Sequence, residues 1–266
     1  MTGLVEYYNY LIKECSDPRV YDWPFMANPW KLLGLLSVYL YLVYVSLPSY
    51  MSDKKPYNLK GFIACYNIFQ VLACSIIIYG MATSGWTTHY RIIGCEPVDF
   101  SNNPMAIRMA SFMWWNMMLK IVELVETILF VLRKKTNQVS FLHVYHHVST
   151  LTMAWLVGKY FPGGLLTFTP MINSLVHIFM YTYYFLSSLG PKMQKKLEWV
   201  KPKLTIIQLV QLVIIILQTM QLFLPGCGIH NAVGYIFVPN VVINVIFFVK
   251  FYTKSYLKKE NLSKSK

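Results

Sequence analysis

Seven stretches of about 20 residues, each nearly free of charge, partition this 266-residue chain near 32–50, 61–83, 109–132, 139–157, 164–187, 204–224 and 234–253. A run of that length as a helix matches the roughly 30 Å hydrocarbon core of a bilayer. Each is therefore read as a spanning helix, and the fold class expected is an all-α integral membrane protein with seven transmembrane helices. The composition agrees: 56% of residues are AVILMFWYC and 13% are charged, about half the charged share of a soluble domain. Seven spans take about 140 residues, which leaves too little for a separate soluble catalytic domain. Any chemistry is expected inside or just outside the bilayer. The organisation read from the chain is an N-terminal segment 1–31, a membrane domain 32–253 and a basic tail 254–266.

A net charge of +13 would suggest nucleic acid if basic residues alternated with stacking aromatics on a soluble surface. They cluster between apolar runs instead, so no nucleic-acid partner is expected and membrane lipid is. Segments 51–60, 133–138, 188–203 and the tail from Lys250 hold 17 of the 24 Lys and Arg; the alternate set, 1–31, 84–108, 158–163 and 225–233, holds 6. The excess of Lys and Arg on cytosolic loops places the N-terminus lumenal and the C-terminus cytosolic, as an odd span number requires. The N-terminal residues lack the basic and apolar regions of a removable signal peptide. Cys95 and Cys227 lie in different non-cytosolic loops, where a disulfide between them and two free thiols are both open. The sequon at Asn261 lies in the cytosolic tail and is expected to stay unmodified. The lysine-rich end of that tail gives some support to an endoplasmic reticulum membrane address.

Ionisable groups at bilayer depth are costly and mark functional positions. His143, His146 and His147 in the fourth run are spaced i, i+3, i+4, so the three imidazoles share an arc of about 100° on one helix face. Asn173, His177, Met180, Tyr181 and Tyr184 form a second stripe in the fifth run. Lys120 and Glu123 in the third are i, i+3 neighbours that can neutralise each other, with Glu126 and Thr127 beyond. Thr205, Gln208 and Gln211 follow in the sixth. Polar stripes of this kind also serve as glue between helices, and a structural ion pair remains an alternative for Lys120 and Glu123.

Two chemistries suit such histidines. A metal centre needs imidazoles and carboxylates converging on an ion. The His-x-x-His-His box is similar to that of membrane di-iron oxygenases, but those use about eight histidines and this chain has six, with His89 and His230 in opposite-side loops. No metal is therefore expected, although one zinc held by three histidines is not excluded by number. The alternative is acyl transfer, in which a neutral imidazole attacks a thioester and a second histidine manages protons or the developing oxyanion. No cysteine lies in spans three to six, so histidine is the nucleophile candidate. A lipid oxidoreductase and a seven-span receptor or transporter are the rival classes.

The blocks Lys120–Thr127, His143–His147, Asn173–Tyr181 and Thr205–Gln211 together resemble the four signature blocks of the very-long-chain fatty acid elongases, and the resemblance covers nearly the whole chain. Glu126 stands where many members carry Asp. Val144 stands where another subgroup has Trp, which makes the chain look more like members acting on polyunsaturated or longer saturated acids. The resemblance implies six of the helices enclosing an acyl tunnel in the endoplasmic reticulum membrane. It also implies the condensing step of elongation: a long-chain acyl-CoA and malonyl-CoA give 3-oxoacyl-CoA, CO₂ and CoA, with no cofactor. Ketoacyl-CoA reductase, dehydratase and enoyl-CoA reductase are the implied partners; a homo-oligomer is open. On this reading His146 or His177 is the nucleophile or lies beside the reacting carbonyl, with His143 and His147 orienting it. Lys120, Glu123 and Glu126 organise the site, and Asn173, Tyr181, Tyr184, Gln208 and Gln211 contact substrate.

Overall fold

A computed structural model describes residues 2–257; the sequon at Asn261 and most of the basic tail lie outside them. Among the described residues all regular structure is helical. A short α1 (Thr2–Asn9) is followed by α2 (Trp30–Met51), which contains a π-helical turn at Leu42–Ser46. The long helices α3 (Lys60–Met81), α4 (Pro104–Leu132), α5 (Phe141–Tyr160) and α6 (Phe168–Ser188) come next. After a short α7 (Pro191–Lys196), α8 (Val200–Thr219) and α9 (Ala232–Tyr252) complete the order. The long helices fall within a few residues of the seven apolar runs. Five segments, Trp30–Met51, Lys60–Trp86, Gly164–Ser188, Val200–Phe223 and Ala232–Leu257, are long and apolar enough to cross a membrane. The chain is thus a multi-pass membrane protein. Helices α4 and α5 carry the lysine, glutamates and histidine box, which lower their mean hydropathy.

The chain forms two compact units that alternate along the sequence. The first takes Met1–Leu59, Thr83–Tyr90 and Pro97–Thr167. Lipid tails are as apolar as leucine, so helix association here depends on interdigitation and on buried polar contacts rather than on water release. α2 shows how its face is chosen: Leu32, Leu36, Tyr39 and Val43, at i, i+4, i+7 and i+11, are buried, whereas Leu33, Val38 and Tyr41 are exposed. The buried stripe packs with Met117 and Leu124 of α4 and with Val144, Leu151 and Trp155 of α5.

Both ends of this unit are fastened by hydrogen bonds. At one end the Tyr57 amide donates to the Leu132 carbonyl at 3.1 Å and Lys134 Nζ to the Ser52 carbonyl at 3.0 Å. At the other, the segment before α2 offers backbone carbonyls to side chains of α4 and α5: Trp114 Nε1 donates to Pro24, Trp155 Nε1 to Phe25 and Lys159 Nζ to Met26, at 2.9, 2.8 and 2.7 Å. Phe25 sits at φ 69°, a left-handed conformation that presents its carbonyl to Trp155. Helix starts follow capping chemistry. Asn103 accepts from the Met105 amide ahead of Pro104, and Ser140 accepts from the His143 amide at 3.2 Å, each worth about 1 kcal/mol.

The second unit takes Lys60–Ala82, Arg91–Glu96 and the described residues from Phe168 onward. Here α3 packs on α6, α6 on α8 and α8 on α9. The buried face of α3 is polar, with Tyr66, Asn67 and Gln70 ahead of Cys74 and Ile77. At one end Cys95 and Cys227 are joined as a disulfide with their Cα atoms 5.3 Å apart. Gln221 braces the same end, accepting from the Gly94 amide and donating to the Ile92 carbonyl.

Gly234 at the start of α9 tests this packing. An added Cβ would meet Phe223 Cζ at 2.6 Å, and that ring already packs on Tyr235 with centroids 5.0 Å apart. Gly234→Ala is expected to lower stability by about 1–3 kcal/mol, the cost of overpacking. The fall should register as a lower thermal midpoint in detergent and be largely reversed by adding Phe223→Leu. An unchanged midpoint would mean that the ring yields freely.

Candidate active site

In the first unit α4 turns a polar stripe inward, with Asn116, Lys120, Glu123 and Thr127 at i, i+4, i+7 and i+11, all buried. Lys120 Nζ donates to both carboxylate oxygens of Glu123 at 2.8 and 2.9 Å. The two side chains are 7% and 0% exposed, so each supplies the counter-charge that lets the other stay at depth. Glu126, one turn on, places Oε2 3.8 Å from His147 Nε2, beyond hydrogen-bond length but within reach of a proton-dependent ion pair.

The histidine box opens α5. His143 and His147 sit with ring centroids 4.4 Å apart, and His146 and His147 at 5.8 Å. His147 is buried, whereas His143 and His146 are half-buried. His143 Nε2 lies 2.9 Å from Thr127 Oγ1, and that hydroxyl lies 2.8 Å from Tyr39 Oη. The Phe130 ring packs beside His143 at 5.2 Å. The His146 carbonyl accepts from the Ser149 and Thr150 hydroxyls, a local bond that loads the helix just beyond the box.

Glu126, His143 and His147 each offer one ligand atom, all within 4.8 Å of one another. Ligands about 2.1 Å from a tetrahedral ion lie roughly 3.4 Å apart, so the 3.8 Å between Glu126 and His147 would have to contract for the group to hold a metal.

The second unit carries the other stripe. Asn173, His177 and Tyr181 of α6 are buried, with Tyr184 half-buried. Tyr181 packs edge-on against His177 at 5.5 Å, Tyr184 at 5.9 Å and Tyr66 at 6.1 Å. Tyr66 in turn accepts from Gln70 Nε2 at 2.9 Å. On α8, Thr205 and Gln211 are buried, and Gln208 Nε2 donates to the Met180 thioether at 2.8 Å. A separate cavity of about 330 Å³ in the first unit is lined by residues including Ser84, His89, Asp99 and Asn103. There the Ser101 hydroxyl and amide hold the Asp99 carboxyl below the usual carboxylate range.

Residues 24–264 match the model of the ELO: GNS1/SUR4 family. The chain belongs to that family. Relatives within it include very long chain fatty acid elongase 1 of Mus musculus, 40% identical over all of this chain and 95% of its own length. The protein of that name from Homo sapiens is 38% identical over the same shares. Very long chain fatty acid elongase 7 of Rattus norvegicus is 39% identical over 98% of this chain and 92% of its own. Within this ELO-family chain, Tyr39, Tyr66 and Gln70 are additions to the residues that sequence reasoning singles out. Their signal is a polar side chain in a buried helical register of otherwise apolar runs: Tyr39 on the Leu32, Leu36, Val43 stripe, and Tyr66 with Gln70 four residues apart.

Proposed function

We propose that the chain is a fatty acid elongase of the endoplasmic reticulum membrane, N-terminus lumenal and C-terminus cytosolic, that condenses a long-chain acyl-CoA with malonyl-CoA. The observation that carries this reading is the clustered His143, His146 and His147 on the helix beside an internally neutralised Lys120–Glu123 pair, in a family whose relatives bear the elongase name. A separate reductase, dehydratase and second reductase would complete each cycle. Basic cytosolic segments would draw the anionic CoA esters.

A lone pair of the His146 or His177 imidazole attacks the acyl thioester carbonyl, and the tetrahedral intermediate collapses with loss of the CoA thiolate, which takes the imidazole N–H proton. CoA leaves and an acyl-imidazole remains. Malonyl-CoA then loses CO₂, and the electron pair of the broken C–C bond forms the enolate that attacks the acyl-imidazole carbonyl. The imidazole departs and takes one proton from water. Where His146 is the nucleophile, His143 and His147 hold its orientation and pass protons. Lys120 and Glu123 keep the pocket charge balanced, and Asn173 and Gln208 donate hydrogen bonds to the substrate carbonyls.

The test is incubation of purified protein in proteoliposomes with labelled malonyl-CoA and acyl-CoAs from medium to very long chain. A 3-oxoacyl-CoA two carbons longer is expected. No product from any of them would overturn the reading. If the acyl tunnel that the resemblance implies has one mouth, two highly anionic CoA groups would crowd it, so acyl-CoA alone should release free CoA and leave an acyl group on a histidine, found by mass spectrometry. CoA release only after malonyl-CoA is added would mean a ternary complex, with histidine acting as a base.

A further inference from the structure

Tyr39 belongs to the first span, outside the four signature blocks, yet it is 3% exposed and ends a chain of hydrogen bonds that reaches the histidine box. Its hydroxyl lies 2.8 Å from Thr127 Oγ1, and Thr127 Oγ1 lies 2.9 Å from His143 Nε2. Helices α2, α4 and α5 supply one residue each, and the Phe130 ring closes one side of His143. We propose that Tyr39 is a positioning residue that acts on His143 through Thr127, fixing both the ring orientation and the tautomer of that histidine. The inference rests on the condensing-enzyme reading for its consequence and on geometry alone for its content.

Hydrogen-bond arithmetic gives the direction. A phenol is a stronger proton donor than an aliphatic hydroxyl, and an unprotonated imidazole nitrogen is the best acceptor of the three centres. The chain therefore runs from Tyr39 O–H to Thr127, and from Thr127 O–H to His143 Nε2. Serial donors and acceptors polarise one another, so each bond strengthens the next. With Nε2 accepting, the neutral ring carries its proton on Nδ1, and the lone pair of His143 is engaged by Thr127. His143 then orients its neighbours, and nucleophilic attack falls to another histidine. The logic is that of a second partner fixing which ring nitrogen bears the proton. Phenylalanine would fill the same volume with no buried hydroxyl to satisfy, so packing alone does not call for the phenol.

Tyr39→Phe removes one hydroxyl without changing shape. It is expected to lower kcat by about 3–10-fold, the effect of one lost hydrogen bond, with KM within about twofold. Thr127→Val should cost more. Tyr39→Phe/Thr127→Val should be no slower than Thr127→Val alone, because both act along one chain. Thr127→Ser, which keeps the hydroxyl, should stay within about twofold of the parent. A readout independent of activity is the ¹⁵N spectrum of histidine-labelled protein, with His143 assigned through His143→Gln. A single Nδ1–H form is expected in the parent, and a mixture of tautomers in Tyr39→Phe. Unchanged kcat in Tyr39→Phe, additive losses in the double variant, or an unchanged tautomer signal would each overturn the proposal. If the parent protein shows no condensation at all, the functional reading fails and the spectrum alone decides the role of Tyr39.

Discussion

His146→Ala protein is expected to insert and fold as the parent does, yet to form 3-oxoacyl-CoA at least about 10³-fold more slowly, as loss of a nucleophile or its proton partner demands. The side chain is half-buried, packs edge-on against His147, and lies on a helix whose cap is made by Ser140. Truncating it removes little of the packing, so folding and activity should separate cleanly. His177→Ala, made in parallel, decides between the two candidates: whichever variant fails to accumulate an acyl adduct from acyl-CoA marks the nucleophile. Retention of the adduct and of turnover in both variants would remove histidine from the covalent step.

The second large effect concerns stability. Lys120→Met would leave the Glu123 carboxylate, 0% exposed, without its lysine, and Glu123→Gln would strand the ammonium in turn. Breaking a buried pair from one side costs about 3–5 kcal/mol, which corresponds to a fall of very roughly 6–20 °C in thermal midpoint for a chain of this size. The double variant Lys120→Met/Glu123→Gln strands no charge, so its midpoint should recover most of the loss while condensation stays absent. Scanning fluorimetry in detergent, with product formation measured on the same samples, reads both. Single and double variants that melt together at the parent temperature would mean that the pair contributes nothing to the fold.

Much of the fold is legible in the chain itself, because the bilayer leaves few options. An apolar run of about 20 residues must be a helix there, so helix positions follow from charge spacing alone. The histidine box is visible because three imidazoles on one apolar face have few structural uses. Tyr39 is not, because it is one of four tyrosines in the 32–50 run, each of which reads as an interfacial aromatic until its partner is known, and Thr127 lies 88 positions further on. The division into two units leaves no trace in the sequence either. Both are built from long helices, and the exchanges occur in segments such as 83–90 and 91–96, which carry no glycine- or proline-rich linker.

The alternation of those units along the chain also sets a timetable for biosynthesis. α3 ends at Met81, and α6, its packing partner, begins at Phe168. At about 5–20 residues per second, the 86 residues between them take about 4–17 s to be made. For that interval α3 has entered the membrane without α6 to cover Tyr66, Asn67 and Gln70, polar groups that bare lipid solvates poorly. A nascent chain of this design depends on something else to shelter that face until its partner is synthesised, whether the insertion machinery or a neighbouring helix. Substitutions that make the face more polar should therefore reduce yield during synthesis more than they reduce the stability of the finished protein.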